Sequence, residues 1–517
     1  MPPTQTSGAI STPSDQNALI DSCPSQPDLV ILPPDNVLAR LNRLELSTAL
    51  MLHFFDCFSH LPQAHLPIFP FQKLRSLVAS TPLPLLPSST SCLVHAILAT
   101  ASLISPDPSV VGSTFSRPTP AFPSLGVSTE GDGDPETQDA DFDFREYGRM
   151  RESVCRTLVE EARSMAVREG VTTVVTLENS ATCHLLDLLD VKMGSPGARV
   201  FGSAFVAMTR FLAEAGVITG GVQGERVKWS SILMAEALSA TSRRHPILLS
   251  RYDVDLVCGD DVDPLDELAR EAMRSIGADT TRCFICFRPF VLHVIRLARE
   301  GFELFIGAPA QRKPFQEEKY SHHLSSLVSL RALLEQIVLC SGESTNVLPP
   351  SLRFFFSRAI NLSMTLAWGS LLLSLHHALA LRLTATQVCD ENGWRTRERL
   401  DLLMAQTRKL TLQAAIMVAN SAEQTSSVFY LTHIVFSRLE EWAEVLVAEG
   451  GTARIAGLEM ERITALRRIL RALKRAGWSY VDRTGVVEAV ELCLELEASE
   501  TMTQGGGFQI EYSSDLV

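Results

Sequence analysis

The sequence lacks the short motifs that mark common catalytic and nucleotide-binding sites. It contains no HExxH, GxSxG or GxGxxG pattern and no Walker phosphate-binding loop. Each of those motifs holds a nucleophile, a metal or a phosphate at the spacing that its chemistry requires. The sequence therefore gives no support for an enzyme, and we expect no catalytic residues and no bound cofactor.

Clustered positive charge is also missing. The chain has 46 Lys and Arg against 59 Asp and Glu, for a net charge of −13, and seven of the acids lie between Ser128 and Phe144. Nucleic-acid binding depends on grouped cations that neutralise phosphates. The densest basic group shares one helix with leucines, so we expect a solvated face and no sequence-specific DNA binding by this chain. Its members are Arg467, Arg468, Arg471, Lys474 and Arg475.

The cysteines are too scattered for a disulfide framework or a structural zinc site. Eleven are spread along the chain, mostly in apolar helical segments. Cys283 and Cys286 form a CxxC pair, but no further ligands follow at a zinc-binding spacing. The N-terminus has no basic and apolar signal segment. We interpret the cysteines as buried thiols in a reducing compartment, and the apolar run from Ala359 to Leu375 as a core helix rather than a membrane span.

Helical periodicity dominates the rest, so we predict an all-α fold, a large irregular helical bundle. Sustained period-two alternation is almost absent, and no fixed-length repeat is found. Proline in the first turn marks the predicted starts of three helices, at Ser195-Pro196, Asp263-Pro264 and Pro349-Pro350. The predicted division is a disordered N-terminal segment over 1–35, a helical domain over 36–104 and 145–500, a disordered acidic insertion over 105–144, and a flexible tail over 501–517.

Several segments follow one another along the chain in an order that is typical of a known family, and two of them lie near its start. Leu52 to His60 is an aromatic helix end, and His65 to Pro70 is a turn that carries histidine and proline. A small-residue helix, Cys92 to Ser102, follows, and Gly202 to Leu212 adds an alanine- and methionine-bearing stretch. Next come a Trp-bearing helix start, an arginine-proline turn and a "Ser-x-x-Asp" segment, formed by Glu225 to Trp229, Arg243 to Ile247 and Ser250 to Asp253.

In order and spacing these segments resemble the fungal-specific transcription factor domain, the regulatory middle region of fungal zinc-cluster transcription factors. Two departures stand out. An apolar stretch around Met234 and Ala235 replaces an expected aspartate, and Arg244-His245-Pro246 stands for Gly-Arg-Pro. The zinc cluster itself is missing, because Cys23 is the only cysteine before Cys57. Zinc is expected only if a cysteine cluster lies upstream of this sequence.

The resemblance implies a nuclear regulator of RNA polymerase II-type transcription that acts through co-regulators or a DNA-binding module outside this chain, and it leaves a homodimer open. A helical protein-binding scaffold is the alternative. A terpene-cyclase-like enzyme comes third, because aspartates cluster from Asp253 to Asp266, although Pro264 interrupts the pattern that Mg²⁺ would need.

The resemblance also marks residues that we expect to be structural, with Trp229 and Arg244 in the core. They are Phe54, Phe55, His65, Pro67, Arg226, Trp229, Arg244, Pro246 and Asp253. A separate candidate is the alternation of acid and aromatic residues in Asp141, Phe142, Asp143 and Phe144. It predicts an activation segment with exposed aromatic rings, with a solubilising loop as the alternative.

Overall fold

The computed structural model describes residues 46–112, 143–193, 199–218, 223–259, 262–274, 281–343, 350–385, 391–423, 435–450, 457–479 and 484–505. Helices make up most of these residues, with no strand among them, as the sequence predicts. Three helices begin the body, α1 (Thr48–Ser59), α2 (Phe71–Ser80) and α3 (Ser88–Ser102). Short 3₁₀ turns, Pro62–His65 and Leu83–Leu85, occupy the proline-rich stretches between them.

The remaining helices follow in chain order. They are α4 (Pro108–Val111), α5 (Arg145–Arg168), α6 (Leu177–Lys192), α7 (Val200–Glu214), α8 (Gln223–Ser242), α9 (Arg251–Cys258), α10 (Leu265–Arg274), α11 (Thr281–Gly301), α12 (Ala308–Gln311), α13 (Glu317–Glu343), α14 (Pro350–Ala385), α15 (Glu391–Glu423), α16 (Val435–Ala448), α17 (Glu459–Ala476) and α18 (Val486–Gly505). A single π-helical turn, Phe302–Ile306, extends α11.

Helix α3 is the centre of the first half of the body. It is buried from Cys92 to Ser102 and packs against α1, α5 and α6. Its alanines and serines allow those helices to approach closely, since small side chains keep the interhelical distance short. Helices α6 and α7 then pack on each other, and α8 packs against α9 and α11.

Helix α14 is the centre of the second half of the body. It packs against α13 and α15, and α15 in turn packs against α17. By length and composition its segment Asn361–Ala385 could cross a membrane, and 78% of its most apolar window is buried in the protein. Trp368, 1% exposed, donates from Nε1 to the Leu327 carbonyl at 2.9 Å. The contacts of this segment are those of a core helix.

The end of α17 closes against the start of α5. Trp478 packs on Tyr147 with ring centroids 4.9 Å apart and donates from Nε1 to the Ile104 carbonyl at 3.0 Å. Gly477 allows this approach, because a Cβ there would lie 2.7 Å from the Arg145 backbone. A helix far along the chain therefore completes the core of the first half.

Several predicted boundaries need correction. The insertion predicted over 105–144 is wrong at both ends, because Ser105, Val110 and Val111 are buried and Phe144 is in the core. Asp107 caps α4 by accepting from the Ser109 amide at 2.8 Å. The Asp263-Pro264 start is confirmed, with α10 beginning at Leu265. The predicted start at Ser195-Pro196 lies outside the described residues, and α7 begins at Val200.

Candidate functional site

The segment from Ser250 to Asp253 forms a reciprocal cap at the start of α9. The Ser250 hydroxyl accepts from the Asp253 amide at 3.2 Å, and the Asp253 carboxylate accepts from the Ser250 amide at 2.6 Å. Arg210 of α7 donates to the same carboxylate at 2.8 Å. Burial alone would raise the pKa of Asp253, but the donors Arg210 and Ser250 hold it below its ordinary value. The cap thus fixes α9 against α7.

A buried ion network joins α6, α7 and α8. Arg199, immediately before α7, is 8% exposed and has a φ of 47°. Its Nη2 donates to Asp187 of α6 at 3.0 Å, and its Nη1 donates to Glu236 of α8 at 3.0 Å. A left-handed backbone costs about 1 kcal/mol in a residue other than glycine. The two buried ion pairs therefore hold Arg199 in a conformation that it would otherwise avoid.

Neighbouring groups complete this network. Glu236 also accepts from the Leu248 amide at 3.2 Å, which ties the chain after α8 to the same carboxylate. A Cβ on Gly202 would lie 2.6 Å from Asp187 Oδ1, so glycine leaves the space that the carboxylate occupies. At the edge, Arg243 donates to the Val191 carbonyl at 2.9 Å. Arg199 and Glu236 thus connect segments of α6, α7, α8 and the chain after α8.

Two carboxylates face one guanidinium in the Arg199 network, so the charges are uneven. Burial raises the pKa of Glu236, and Arg199 only partly opposes that rise. Glu236 Oε2 and Arg199 Nε are buried and have no hydrogen-bond partner within the part of the chain that the structure describes. The arrangement therefore has one carboxylate that takes up a proton more readily than an ordinary glutamate.

A buried histidine lies next to the network. His184 is one turn before Asp187 on α6 and packs on Phe205, with ring centroids 5.1 Å apart. Burial lowers its pKa to about 4. The ring is neutral over the physiological range. Its contacts are those of a core side chain.

Sequence reasoning missed the acidic member of α8. The sequence predicted that an apolar stretch around Met234 and Ala235 replaces an acid, but Glu236 is the next residue and is 5% exposed. The signal was a single glutamate inside the apolar run from Ile232 to Leu238. A buried acid in such a run needs a cation. Asp187, inside the apolar run from Leu185 to Leu189, was missed for the same reason, whereas Arg199 follows a stretch with glycine and proline and has no such signal.

The predicted structural residues fall into two groups. Phe54 and Phe55 are fully buried, Trp229 is 2% exposed and Asp253 is 2% exposed. His65 and Pro246 are exposed, Pro67 is half-buried, and the side chain of Arg226 lies outside the described residues.

Arg244 does not have the predicted core position. It is exposed with a φ of 58°, and its amide donates to the Thr241 carbonyl at 3.2 Å where α8 ends. A buried arginine beside α8 is Arg199, which immediately precedes α7 and pairs with Glu236 of α8. The expectation for Arg244 was therefore wrong.

The predicted activation segment is also corrected in part. Phe144 is 1% exposed and packs edge-on against Trp478 at 5.8 Å between ring centroids. Asp143 pairs with Arg145 at 2.8 Å. A ring in this position cannot insert into a partner, because the core already holds it. Asp141 and Phe142 lie outside the described residues.

A second buried arginine has a different environment. Arg151 of α5 is 1% exposed and donates to the Leu103 carbonyl at 2.7 Å. Its guanidinium lies 4.2 Å from the centroid of the Trp478 ring. Among the described residues no carboxylate contributes to its electrostatics, and burial lowers its pKa to about 10. Backbone carbonyls and one aromatic face stabilise this cation.

The basic group of α17 is largely paired, which corrects the predicted solvated face. Arg475 is buried and donates to the Glu423 carbonyl at 2.7 Å. Arg468 and Arg471 both contact the Glu423 carboxylate, and Lys474 pairs with Glu491 at 2.6 Å. Arg467 is exposed. These cations connect α17 to α15 and α18.

The remaining sequence candidates that the structure describes do not come together as a metal site. Within the described ranges, no three His, Cys, Asp or Glu side chains are grouped closely enough to hold a metal ion. Cys283 and Cys286 lie in α11, and their side chains are outside the described residues, as are Asp260 and Asp261. Both oxygens of the Asp253 carboxylate accept hydrogen bonds from Arg210. The zinc and DNA expectations stay predictions.

Comparisons of the chain with protein-family models, with curated proteins and with solved structures found no match.

Proposed function

We propose that the chain is a transcriptional regulator, with a helical body that corresponds to the regulatory region of fungal zinc-cluster transcription factors. It acts in the nucleus on RNA polymerase II-type genes, through co-regulators or a DNA-binding module outside this chain. The segments that carry the resemblance belong to one continuous hydrophobic core that includes Phe54, Phe205 and Trp229. The observation that supports the proposal is the burial of these three aromatic residues, because the resemblance implies structural positions in the core for these segments.

The electrostatics favour partner-mediated contact with DNA. The basic side chains of α17 are largely engaged by Glu423, Glu491 and backbone carbonyls. A net charge of −13 repels phosphate at long range. Selection from a random duplex pool with the purified chain should therefore enrich no defined site at physiological salt. A reproducible enriched site would contradict this part of the proposal.

Tethering tests the regulatory function directly. The full chain is fused to a heterologous DNA-binding domain, and a reporter is measured against the DNA-binding domain alone. We expect a reporter level that differs several-fold from that control. A fusion that is nuclear, folded and equally abundant but leaves the reporter unchanged would contradict regulation and favour the scaffold alternative.

The structure also defines a clean deletion of the acidic insertion. Removing 113–142 spares Phe144, which packs on Trp478. We expect this deletion to preserve the melting temperature. Loss of reporter activity in a folded deletion variant would assign the activating role to Asp141, Phe142 and the acids before them. Full activity would assign it to the helical body.

A further inference from the structure

Helix α18 presents two large apolar side chains to solvent on one face. It packs against α16 and α17 through its buried valines, which include Val487 and Val490. Leu492 and Leu496, one turn apart on the outer face, are each 57% exposed. Residues at i and i+4 are neighbours on a helix surface, so the two leucines form a continuous ridge.

The charges of α18 are of one sign. Between Val486 and Gly505 the helix has five glutamates and no Lys or Arg. Three of the glutamates pair with cations of the body. Of the other two, Glu495 is exposed beside the leucine ridge, and the side chain of Glu500 lies outside the described residues. These pairs are Glu488 with Arg145, Glu491 with Lys474 and Glu497 with Arg462.

We propose that Leu492 and Leu496 are the anchors with which α18 docks into an apolar groove rimmed by Lys and Arg on a separate partner protein. Amphipathic helices bind such grooves through anchors spaced by one turn. The charge of Glu495 determines which rim the partner's groove has. Lys and Arg on the rim would attract Glu495, whereas acidic residues would repel it. Burial of the two leucines supplies the affinity.

A second copy of this chain does not meet that description. Pairing α18 with α18 would bring the exposed Glu495 of one chain close to that of the other, and each chain has a net charge of −13. Like charges brought together across an interface oppose association. The occupant is therefore a different, basic protein. Under the proposed function it is a co-regulator, although the docking itself does not depend on transcription.

Site-specific photo-cross-linking tests this docking. Benzoylphenylalanine replaces Leu492 in the full chain, and cells that express it are irradiated. We expect an adduct with a different protein whose linked peptide is apolar and flanked by Lys or Arg. The substitution Glu495→Lys should lower the adduct yield on the order of tenfold, because it reverses the charge beside the anchor. Benzoylphenylalanine at Leu402 is the control, since that residue is a lone exposed leucine on α15.

Each other outcome overturns the proposal. An adduct with another copy, an adduct elsewhere in this chain, a yield equal to that at Leu402, or a yield unchanged by Glu495→Lys would do so. The tethered reporter separates this proposal from the function. There Leu492→Ser with Leu496→Ser should lower activity with an unchanged melting temperature, whereas Leu402→Ser should not. If the wild-type fusion leaves the reporter unchanged but the adduct still depends on the charge of Glu495, the transcriptional function is contradicted and the docking proposal is supported.

Discussion

The two buried arginines, Arg199 and Arg151, show two ways of placing a cation in the same interior. Arg199 is 8% exposed and is held by two carboxylates, whereas Arg151 is 1% exposed and is held by carbonyls and the face of Trp478. Removing a guanidinium from beside two acids leaves two uncompensated charges. Removing one from beside neutral acceptors leaves none. The two sites should therefore respond differently to the same substitution.

The largest effect is expected for Arg199→Met. It leaves Asp187 and Glu236 buried without a cation, and breaking a buried ion pair typically costs about 3–5 kcal/mol of unfolding free energy. Chemical denaturation at neutral pH measures it. Arg75→Met is the control, because its pair with Asp56 is exposed and should contribute less than about 1 kcal/mol. An unfolding free energy of Arg199→Met within about 1 kcal/mol of that of wild type would show that the network does not stabilise the fold.

Arg151→Met should cost less. It deprives the Leu103 carbonyl of its donor, and an unsatisfied buried acceptor costs about 1–3 kcal/mol. The substitution also removes a buried charge that has no carboxylate partner among the described residues, and this offsets part of the lost unfolding free energy. The pKa of about 10 keeps Arg151 charged below that pH, so its substitution should shift the stability profile without changing its shape near neutrality. A loss equal to that of Arg199→Met would contradict the comparison.

The smallest effect is expected for Glu236→Gln. The amide oxygen can still accept from Arg199 and from the Leu248 amide, and the network becomes one cation with one anion. We expect an unfolding free energy within about 1 kcal/mol of wild type at neutral pH. A loss as large as that of Arg199→Met would show that the charge of Glu236 is required.

The pH dependence of that variant sharpens the comparison. Burial raises the folded-state pKa of Glu236 above its ordinary value of 4.5. Its contribution to stability is therefore complete below the unfolded pKa and is lost as pH rises through the folded pKa. The stability of wild type relative to Glu236→Gln should fall as the pH rises above the ordinary glutamate pKa of 4.5. Denaturation curves over a series of pH values measure it, and a flat difference would show that the glutamate has no raised pKa.

Local patterns in the sequence predicted the helices well, because apolar periodicity and first-turn proline are local signals. Asp263-Pro264 placed the start of α10 correctly. Long-range pairs left no such signal. Nothing local pairs Arg199 with Glu236, and the acids before Phe144 suggested a solvated segment although Trp478, far along the chain, buries that ring. The resemblance predicted a core position for Arg244, which is exposed, and gave no signal for Arg199, which is buried.

The regulatory function is the central claim, and chromatin immunoprecipitation of the untethered, epitope-tagged full chain tests it most directly. The account predicts enrichment at discrete promoters, reached through a partner or an added DNA-binding module. It also predicts that the purified chain retains none of that selectivity on naked DNA. A stable, nuclear protein with no promoter enrichment above an untagged control would contradict the account.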